Sequence, residues 1–392
     1  MSTTSRPHAS FVRHAALALC ALSAFAFAPP AAAATAYTYT PLLSLGGEQG
    51  TGQAINNLGQ VAGGSFALTG SYFWPTLWTT PGTPVQLGLL PNPALAVAYG
   101  LNDRGQAVGS DAFSRAILWN GTQATELPSL GGSSSEAIAI NNAGQAVGWS
   151  FTSPTSSFQA TLWQGGQATN LGTLGGRTSF ATDINTSGQI AGIAEGSFGR
   201  HAVLWNNGVA RDLGTVQGHE SGGEGLNDAG QVVGFDVDDQ GASHASYWDG
   251  NRMSLLRPVE GDGVSSAALD INNRGLAVGY SVVQGNQSAT LWDRGAPTDL
   301  NSFLDPASRA AGWHLLEAAA INENGWITGM AINSSLGESS AFLLTTVPAI
   351  PEPSAFALAL AGLVVLGAGR LRPRHRVIAR TGPLARRALR TA

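Results

Sequence analysis

One short motif recurs seven times along the chain and restricts the folds that this sequence can adopt. It consists of an apolar residue, an Asn, two variable residues and a Gly, as in Ile55-Asn56-Asn57-Leu58-Gly59. Successive copies lie 46, 39, 44, 42, 45 and 50 residues apart, a period typical of β-propeller blades. Asn suits the first position of a type I turn and Gly the last, so the motif predicts seven equivalent turns. The Asn residues are Asn56, Asn102, Asn141, Asn185, Asn227, Asn272 and Asn322.

A second motif follows each turn and ends in Trp in six of the seven copies. It lies about 17 to 22 residues after the Asn, and the seventh copy reads Ala341-Phe342-Leu343-Leu344 instead. A large apolar residue that recurs once per repeat is typical of packing between repeats rather than of a ligand cage. We therefore predict an inter-blade core. The Trp residues are Trp78, Trp119, Trp163, Trp205, Trp248 and Trp292.

The fourth repeat shows how each unit folds. It contains four short β-like runs, separated by the Asn185 turn, a Gly-rich loop and the hairpin signal Asn206-Asn207-Gly208. Four antiparallel strands in about 44 residues match a propeller blade. The fold class predicted is all-β, a seven-bladed β-propeller of four-stranded antiparallel blades. The four runs are 178–184, 189–194, 201–205 and 209–213.

The two ends of the repeat region predict how the ring closes. The seventh repeat has three β-like runs and no fourth, while an unpaired run, Tyr37 to Leu43, precedes the first repeat. If the N-terminal run is the fourth strand of the last blade, the ring closes without an open sheet edge. The alternative is an open solenoid, which needs distinct polar caps at both ends, and the sequence shows no such caps.

Charge is distributed unevenly. Between Tyr37 and Ile350 there are 10 Arg against 24 Asp and Glu, and the chain contains no Lys. This acidic body argues against nucleic acid as a partner, because phosphate contacts need clustered basic residues. The only cysteine is Cys20, so the body has no disulfide chemistry. We expect the body, residues 37–347, to be monomeric.

The N-terminal segment, residues 1–36, reads as a signal peptide. Arg6 and Arg13 precede the apolar stretch Ala15 to Ala28, and small residues around Ala34 and Ala36 offer cleavage sites. The export machinery is the implied partner. A retained N-terminal anchor remains the alternative.

The C-terminal segment has three parts in a fixed order. A linker, residues 348–354, contains Pro351, Glu352 and Pro353, and an uncharged run, 355–369, follows it. Fifteen helical residues rise about 22 Å, which suggests a short transmembrane-like helix. The tail, 370–392, begins with a basic cluster that would stop transfer on the cytoplasmic side. That cluster contains Arg370, Arg372 and Arg374.

This tail resembles the PEP-CTERM sorting signal of Gram-negative bacteria. The resemblance implies an exosortase-like membrane protease as partner, and a body that is anchored before processing and then released or attached at the cell surface. The resemblance also implies that the protein is located in an exopolysaccharide-rich cell envelope. A plain membrane anchor remains the alternative for the tail.

The body, from about Leu42 to Leu344, resembles the HAF family of extracellular repeats. The matching segments are Leu130-Gly131-Gly132, the Ile-Asn-x-x-Gly-Gln turns and His201-Ala202-Val203-Leu204-Trp205. The resemblance implies an exported repeat protein and no defined activity.

Few residues outside the repeat carry recognisable chemistry. His201 and His244 occupy equivalent repeat positions and are interpreted as structural. The loop His219 to Glu224 supplies too few fixed ligands for a metal. A weak Ca²⁺ candidate is the acidic loop containing Asp236, Asp238 and Asp239, which lacks the Gly and distal Glu of an EF-hand loop and reads more simply as a solvated hairpin loop.

These observations favour an exported, surface-sorted structural or binding protein that is not an enzyme and needs no cofactor. No nucleophile elbow, phosphate loop, dinucleotide fingerprint or zinc-peptidase helix occurs in the sequence. The alternatives are an extracellular glycan hydrolase or lyase with its site at the propeller mouth, and a Ca²⁺-stabilised adhesion protein. Facing carboxylates and aromatic residues at the channel mouth would favour the enzyme, and small neutral residues would favour the structural role.

Overall fold

A computed structural model of the chain describes residues 36–67, 73–79, 82–91, 95–153, 157–216, 218–250, 252–260 and 264–347. Apart from Ala36, the predicted signal peptide lies outside these residues, as do the predicted sorting motif, the helix predicted at 355–369 and the Arg-rich tail. Within the described part, no helix has the length and apolar character needed to cross a membrane.

The described residues form seven four-stranded antiparallel sheets, which confirms the predicted all-β propeller. Blade 1 contains β2 to β5, and each following blade takes the next four strands; blade 7 contains β26 to β28 and β1. The strands are β1 (Tyr37–Leu42), β2 (Gly46–Ile55), β3 (Val61–Ala67), β4 (Phe73–Thr79), β5 (Thr83–Gln86), β6 (Ala96–Leu101), β7 (Gln106–Asp111), β8 (Ala116–Asn120), β9 (Gln123–Glu126), β10 (Ser135–Ile140), β11 (Ala146–Phe151), β12 (Phe158–Gln164), β13 (Gln167–Asn170), β14 (Ser179–Ile184), β15 (Ile190–Gly196), β16 (Gly199–Asn206), β17 (Val209–Gly214), β18 (Ser221–Leu226), β19 (Val232–Val237), β20 (Ser243–Asp249), β21 (Arg252–Leu255), β22 (Ser266–Ile271), β23 (Leu276–Val283), β24 (Asn286–Asp293), β25 (Ala296–Asp299), β26 (His314–Ile321), β27 (Ile327–Asn333) and β28 (Glu338–Thr346).

The N-terminal strand closes the ring as predicted. β1 pairs antiparallel with β28, from Tyr37 opposite Thr346 to Leu42 opposite Ala341, and the sheet order is β1-β28-β27-β26. Tyr37 and Leu42 are buried, each in the core of a different blade junction. The first and last strands of the body therefore share one sheet, and the edge of β28 is covered.

Each repeated Asn organises its own turn. In blade 4, Asn185 Oδ1 accepts hydrogen bonds from the backbone N–H groups of Ser187 and Gln189, at 3.1 and 2.9 Å. Gly188 takes φ of +80°, a conformation that L side chains disfavour. The Asn and Gly of the motif are thus required by the backbone of the turn.

The same Asn side chains also join neighbouring blades, a role that the sequence did not indicate. Asn185 Nδ2 donates to the backbone carbonyl of Asn227 in the next blade, at 3.1 Å. Asn322 Nδ2 donates to Asn56 O at 2.9 Å, which joins the last blade to the first. All seven junctions contain this bond, and every Asn is buried. We call this set of bonds the Asn ring.

The apolar core is divided among the blade junctions. Seven clusters of buried residues occur in the described chain, one between each pair of adjacent blades. Trp119 is fully buried between blades 1 and 2, and its Nε1 donates to Gly88 O at 2.7 Å. All six repeated Trp residues are no more than 2% exposed. Burial on both faces explains the unbroken apolar runs of the strands.

The junction between blades 6 and 7 is built differently. Leu344 lies opposite Ile327, where the other blades have Trp, and it is fully buried. An insertion after β25 contributes a 3₁₀ helix, Leu300–Phe303, and the short helix α1, Pro306–Ala310. Leu300 of this insertion packs in the same cluster as Leu344. The insertion was not predicted, and it accounts for the longest repeat spacing.

Gly on the second strand of each blade allows two backbones to approach closely. A Cβ atom on Gly192 would lie 2.0 Å from the carbonyl oxygen of Phe180 on β14. The pairing of β14 with β15 shifts register between Ala181 and Asp183, because β14 has one extra residue there, a β-bulge. The extra residue, Thr182, and the Asp183 that follows it both line a cavity on the inner side of the blades.

Candidate functional site

The first strands of the seven blades surround an axial channel. A cavity of about 400 Å³ lies in this channel, lined by residues that immediately precede the Asn turns. Its lining includes Gln53, Tyr99 and Thr182, and no Arg or His side chain of the described residues belongs to it. The acidic residues that line it are Asp183, Glu224, Asp270 and Glu317. The channel is therefore neither neutral nor apolar.

Asp183 and Asp270 use both carboxylate oxygens to bind backbone N–H groups. Asp183 accepts from Ile184 N and, across the blade junction, from Leu226 N, both at 2.7 Å. Asp270 accepts in the same way from its own strand and from Ile321 N of blade 7, at 2.8 Å. Burial raises the pKa of Asp183 to about 6. Burial and the charge of Asp183 raise the pKa of Asp270 to about 7. These two carboxylates stabilise contacts between blades.

Glu224 differs from both Asp residues because its carboxylate has no hydrogen-bond partner among the described residues. It lies deep in the channel, and burial, followed by the charge of Glu317, raises its pKa to about 7. Glu317 Oε2 accepts from Gln287 Nε2 at 3.3 Å, and burial raises the pKa of Glu317 as well. Burial, and then the charges of Glu317 and Glu224, raise the pKa of the Tyr280 hydroxyl. Two carboxyl groups of the channel lining thus interact electrostatically with each other and with the phenol of Tyr280 on β23.

An aromatic cluster lies in blades 3 and 4, on β11, β12 and β14. It contains Trp149, Phe151, Phe158 and Phe180, all partly buried. Trp149 contacts each of the three Phe rings edge-on, with centroids 5.9 to 6.4 Å apart, and Phe158 lies 4.2 Å from Phe180. Trp149 Nε1 donates to Glu136 Oε2 at 3.1 Å. We call these four residues the aromatic cluster.

Glu136 connects the aromatic cluster to the channel. Burial, followed by the charge of Glu136, raises the pKa of the cavity residue Tyr99 to about 12. Phe180 precedes the cavity residue Thr182 by two positions on β14. None of the four aromatic residues lines the cavity, but Phe180 lies on a channel strand, on the side of Thr182 away from the Asn185 turn.

The other mouth of the channel is lined by the residues that follow the repeated Asn. Asn57 N donates to Asp103 Oδ1 at 2.8 Å, and Asp228 N donates to Asn273 Oδ1 at 2.7 Å. Although burial opposes it, hydrogen bonds from Asn142 and Asn57 lower the pKa of Asp103. The polar groups of this mouth bind one another and reinforce the Asn ring.

The His residues singled out in the sequence lie outside the channel, each paired with an Asp. His201 Nδ1 lies 2.9 Å from Asp212, and His244 Nε2 lies 2.8 Å from Asp238. His219 contacts Asp239.

The three Asp residues of the weak Ca²⁺ candidate therefore have different partners. Asp238 also accepts from Gln240 N and Ala242 N, while the buried Asp236 accepts from Val216 N at 3.3 Å. Among the described residues, no group of three His, Cys, Asp or Glu side chains could hold a metal ion.

The channel acids predict an unusual dependence of stability on pH. The pKa values of Glu224 and Asp270 are higher in the folded state than in the unfolded state, where they are near 4. Protonation of these two carboxyl groups therefore stabilises the fold, and this contribution is fully present below about pH 4. This contribution is lost as the pH rises through about 7. We expect the melting temperature of the body to fall between about pH 5 and pH 8, and Glu224→Gln to reduce that fall, as measured by scanning calorimetry. Glu48→Gln, at an exposed position, is the control. If the melting temperature changed equally with pH in both variants, Glu224 would not be the group that causes the fall.

The fold and its axial channel define a seven-bladed β-propeller. No family model matches the chain, and no curated protein sequence matches it. Among solved structures, virginiamycin B lyase from Staphylococcus aureus is similar over 79% of this chain and 100% of its own, at 10% identity and a TM-score of 0.50. A structure described as YCF48 bound to D1 peptide is similar over 83% of this chain and 99% of its own, at 13% identity and a TM-score of 0.47.

TolB from Acinetobacter baumannii is similar over 60% of this chain, at 11% identity and a TM-score of 0.42. This chain covers 61% of TolB. At these identities the similarity shows the fold alone.

Proposed function

We propose that this chain is an exported, surface-sorted β-propeller that binds polysaccharide without cleaving it. The aromatic cluster carries the proposal. Its four residues do not belong to the repeated Trp series, and they pack together in blades 3 and 4, where Trp149 donates to Glu136. Apolar aromatic faces combined with a few fixed polar groups are typical of small-molecule and sugar sites.

The rest of the molecule supports a rigid binding body. The repeated Asn and Trp residues are occupied in joining the blades, so the residues that vary between blades determine the chemistry of the surface. The sequence patterns of residues 1–36 and 348–392 support export and sorting by an exosortase-like protease. No cofactor is needed for this role.

Trp149→Ala tests the proposal. We expect the substitution to weaken retention of the folded chain on immobilised or gel-embedded bacterial exopolysaccharide by at least about tenfold, because it removes the ring that contacts all three Phe residues. Affinity electrophoresis measures the effect. Trp74→Ala is the matched control, because Trp74 is also partly buried but lies on β4 of blade 1. Equal retention of both variants and the parent would overturn the assignment of the cluster.

A second candidate function is a glycan hydrolase or lyase. Glu224 and Glu317 favour it, since a carboxyl group with a pKa near 7 beside a second one suits general acid catalysis. Against it, Glu317 is bound by Gln287, and both channel Asp residues are bound by backbone N–H groups. If the parent chain released oligosaccharides from a polysaccharide and Glu224→Gln did not, the non-catalytic proposal would be wrong and the enzyme would take its place.

A further inference from the structure

The channel contains an unused negative charge that the proposed role at the aromatic cluster does not require. Four carboxyl groups line the cavity, and no basic side chain of the part of the chain that the structure describes lines it. Asp183 and Asp270 are each satisfied by two backbone N–H groups. Glu224 has no partner among the described residues, and its remaining accessible surface faces the cavity. A carboxylate left without partners in a buried position is unstable unless it is protonated or binds a cation.

The neighbours of Glu224 strengthen its preference for a cation. Glu317 acts on it as a like charge, and both carboxyl groups act electrostatically on the Tyr280 phenol. Asp183 and Asp270 add negative charge in the same cavity. Because the interior screens charges less than water does, these groups attract a positively charged ligand strongly.

The geometry favours an organic cation over a metal ion. Ca²⁺ needs six to eight oxygen ligands within about 2.6 Å, whereas no three acidic or His side chains of the described chain lie close enough to hold a metal. A cavity of about 400 Å³ has room for several non-hydrogen atoms. Each ammonium group carries three N–H donors, which suits acceptors that are spread along a channel.

We propose that the central cavity binds a small aliphatic diamine, with Glu224 anchoring one ammonium group and Glu317 the other. The phenol of Tyr99, also in the lining, offers an aromatic surface to the ligand. Binding requires Glu224 to lose its proton, because only the carboxylate forms the ion pair. Affinity therefore increases as the pH rises from about 5 to about 8, and a proton is released on binding near pH 6.

Titration calorimetry of the folded full chain with 1,4-diaminobutane tests the proposal. We expect binding of the diamine, no binding of its neutral analogue 1,4-butanediol, and at least about tenfold weaker binding by Glu224→Gln. Glu48→Gln, exposed on β2, is the matched control and keeps the parent affinity. Titrations in two buffers of different ionisation enthalpy measure the proton release.

Three results would overturn the proposal. Equal binding of the diol would show that charge is not recognised. Unchanged diamine affinity in Glu224→Gln, with the melting curve showing a folded variant, would place the ligand elsewhere. Binding of Ca²⁺ that competes with the diamine at lower concentration would make the site a metal site.

Discussion

Deletion of β1, Tyr37–Leu42, from the full chain is expected to abolish the single cooperative unfolding transition of the body. β1 supplies the fourth strand of blade 7 and covers the edge of β28. Its loss removes six backbone pairings and the buried side chains of Tyr37 and Leu42, which lie at two different blade junctions. Burial of the two side chains and the lost hydrogen bonds together contribute on the order of 5 to 10 kcal/mol. That range is comparable to the whole stability of a typical domain.

Thermal unfolding followed by far-ultraviolet circular dichroism measures the effect. A peptide with the sequence of residues 37–43, added in excess, should restore the transition because it can pair with β28. A peptide of the same composition in scrambled order is the control. A deleted chain that still unfolds cooperatively at the parent temperature would show that the ring does not need this closure.

Asn322→Ala is expected to lower the free energy of unfolding by about 3 to 4 kcal/mol. Asn322 Nδ2 donates to Asn56 O, and its Oδ1 accepts from Asn324 N and Trp326 N. The substitution removes the Asn322 side-chain acceptor from Asn324 N and Trp326 N, and it removes one of the two hydrogen bonds to Asn56 O, which still accepts from Gly59 N. A buried group left without a partner costs about 1 to 3 kcal/mol. The loss is large for one residue because it weakens a turn and the joint between the last and first blades.

Chemical denaturation of the folded chain measures this free energy. Asn286→Ala is the matched control, because Asn286 is exposed in the β23–β24 hairpin and should change stability by less than about 0.5 kcal/mol. Asn322→Asp retains the acceptor and loses the donor, so it separates the turn from the joint. If Asn322→Ala and Asn286→Ala have equal effects, the Asn ring does not stabilise the closed propeller.

The repeat pattern did not indicate the acidic residues of the candidate site. The channel residues Glu224 and Glu317 occupy positions two and four before the apolar residue of their motifs. Other blades have Gln53, Tyr99 or Leu269 at the position of Glu224. A position whose residue differs from blade to blade is not detected by a search for recurring residues. Its place on the first strand of the blade nevertheless indicates that it faces the channel axis. An alignment of the seven repeats, followed by a search for acids at the axial positions, would have found both residues.

The aromatic cluster was missed for a similar reason. Trp149 lies on β11, outside the repeated Trp series, and its Phe partners come from three strands of two blades. The contacts between Phe151 and Phe158 follow from the β11–β12 pairing, but Phe180 reaches them only when blade 4 packs on blade 3.

The sequence by itself determined the number of blades, the four strands in each and the closure by the N-terminal strand. These features follow from local chemistry that repeats: an Asn that caps a turn, a Gly that takes positive φ, and an orphan strand that matches a missing one. Only the tertiary structure decided that each Asn also binds the next blade, that Leu300 packs with Leu344 where the seventh Trp is missing, and that acids from blades 4 to 7 share one channel. The physical reason is that these contacts join residues about 40 or more positions apart, and only the closed ring brings such residues together.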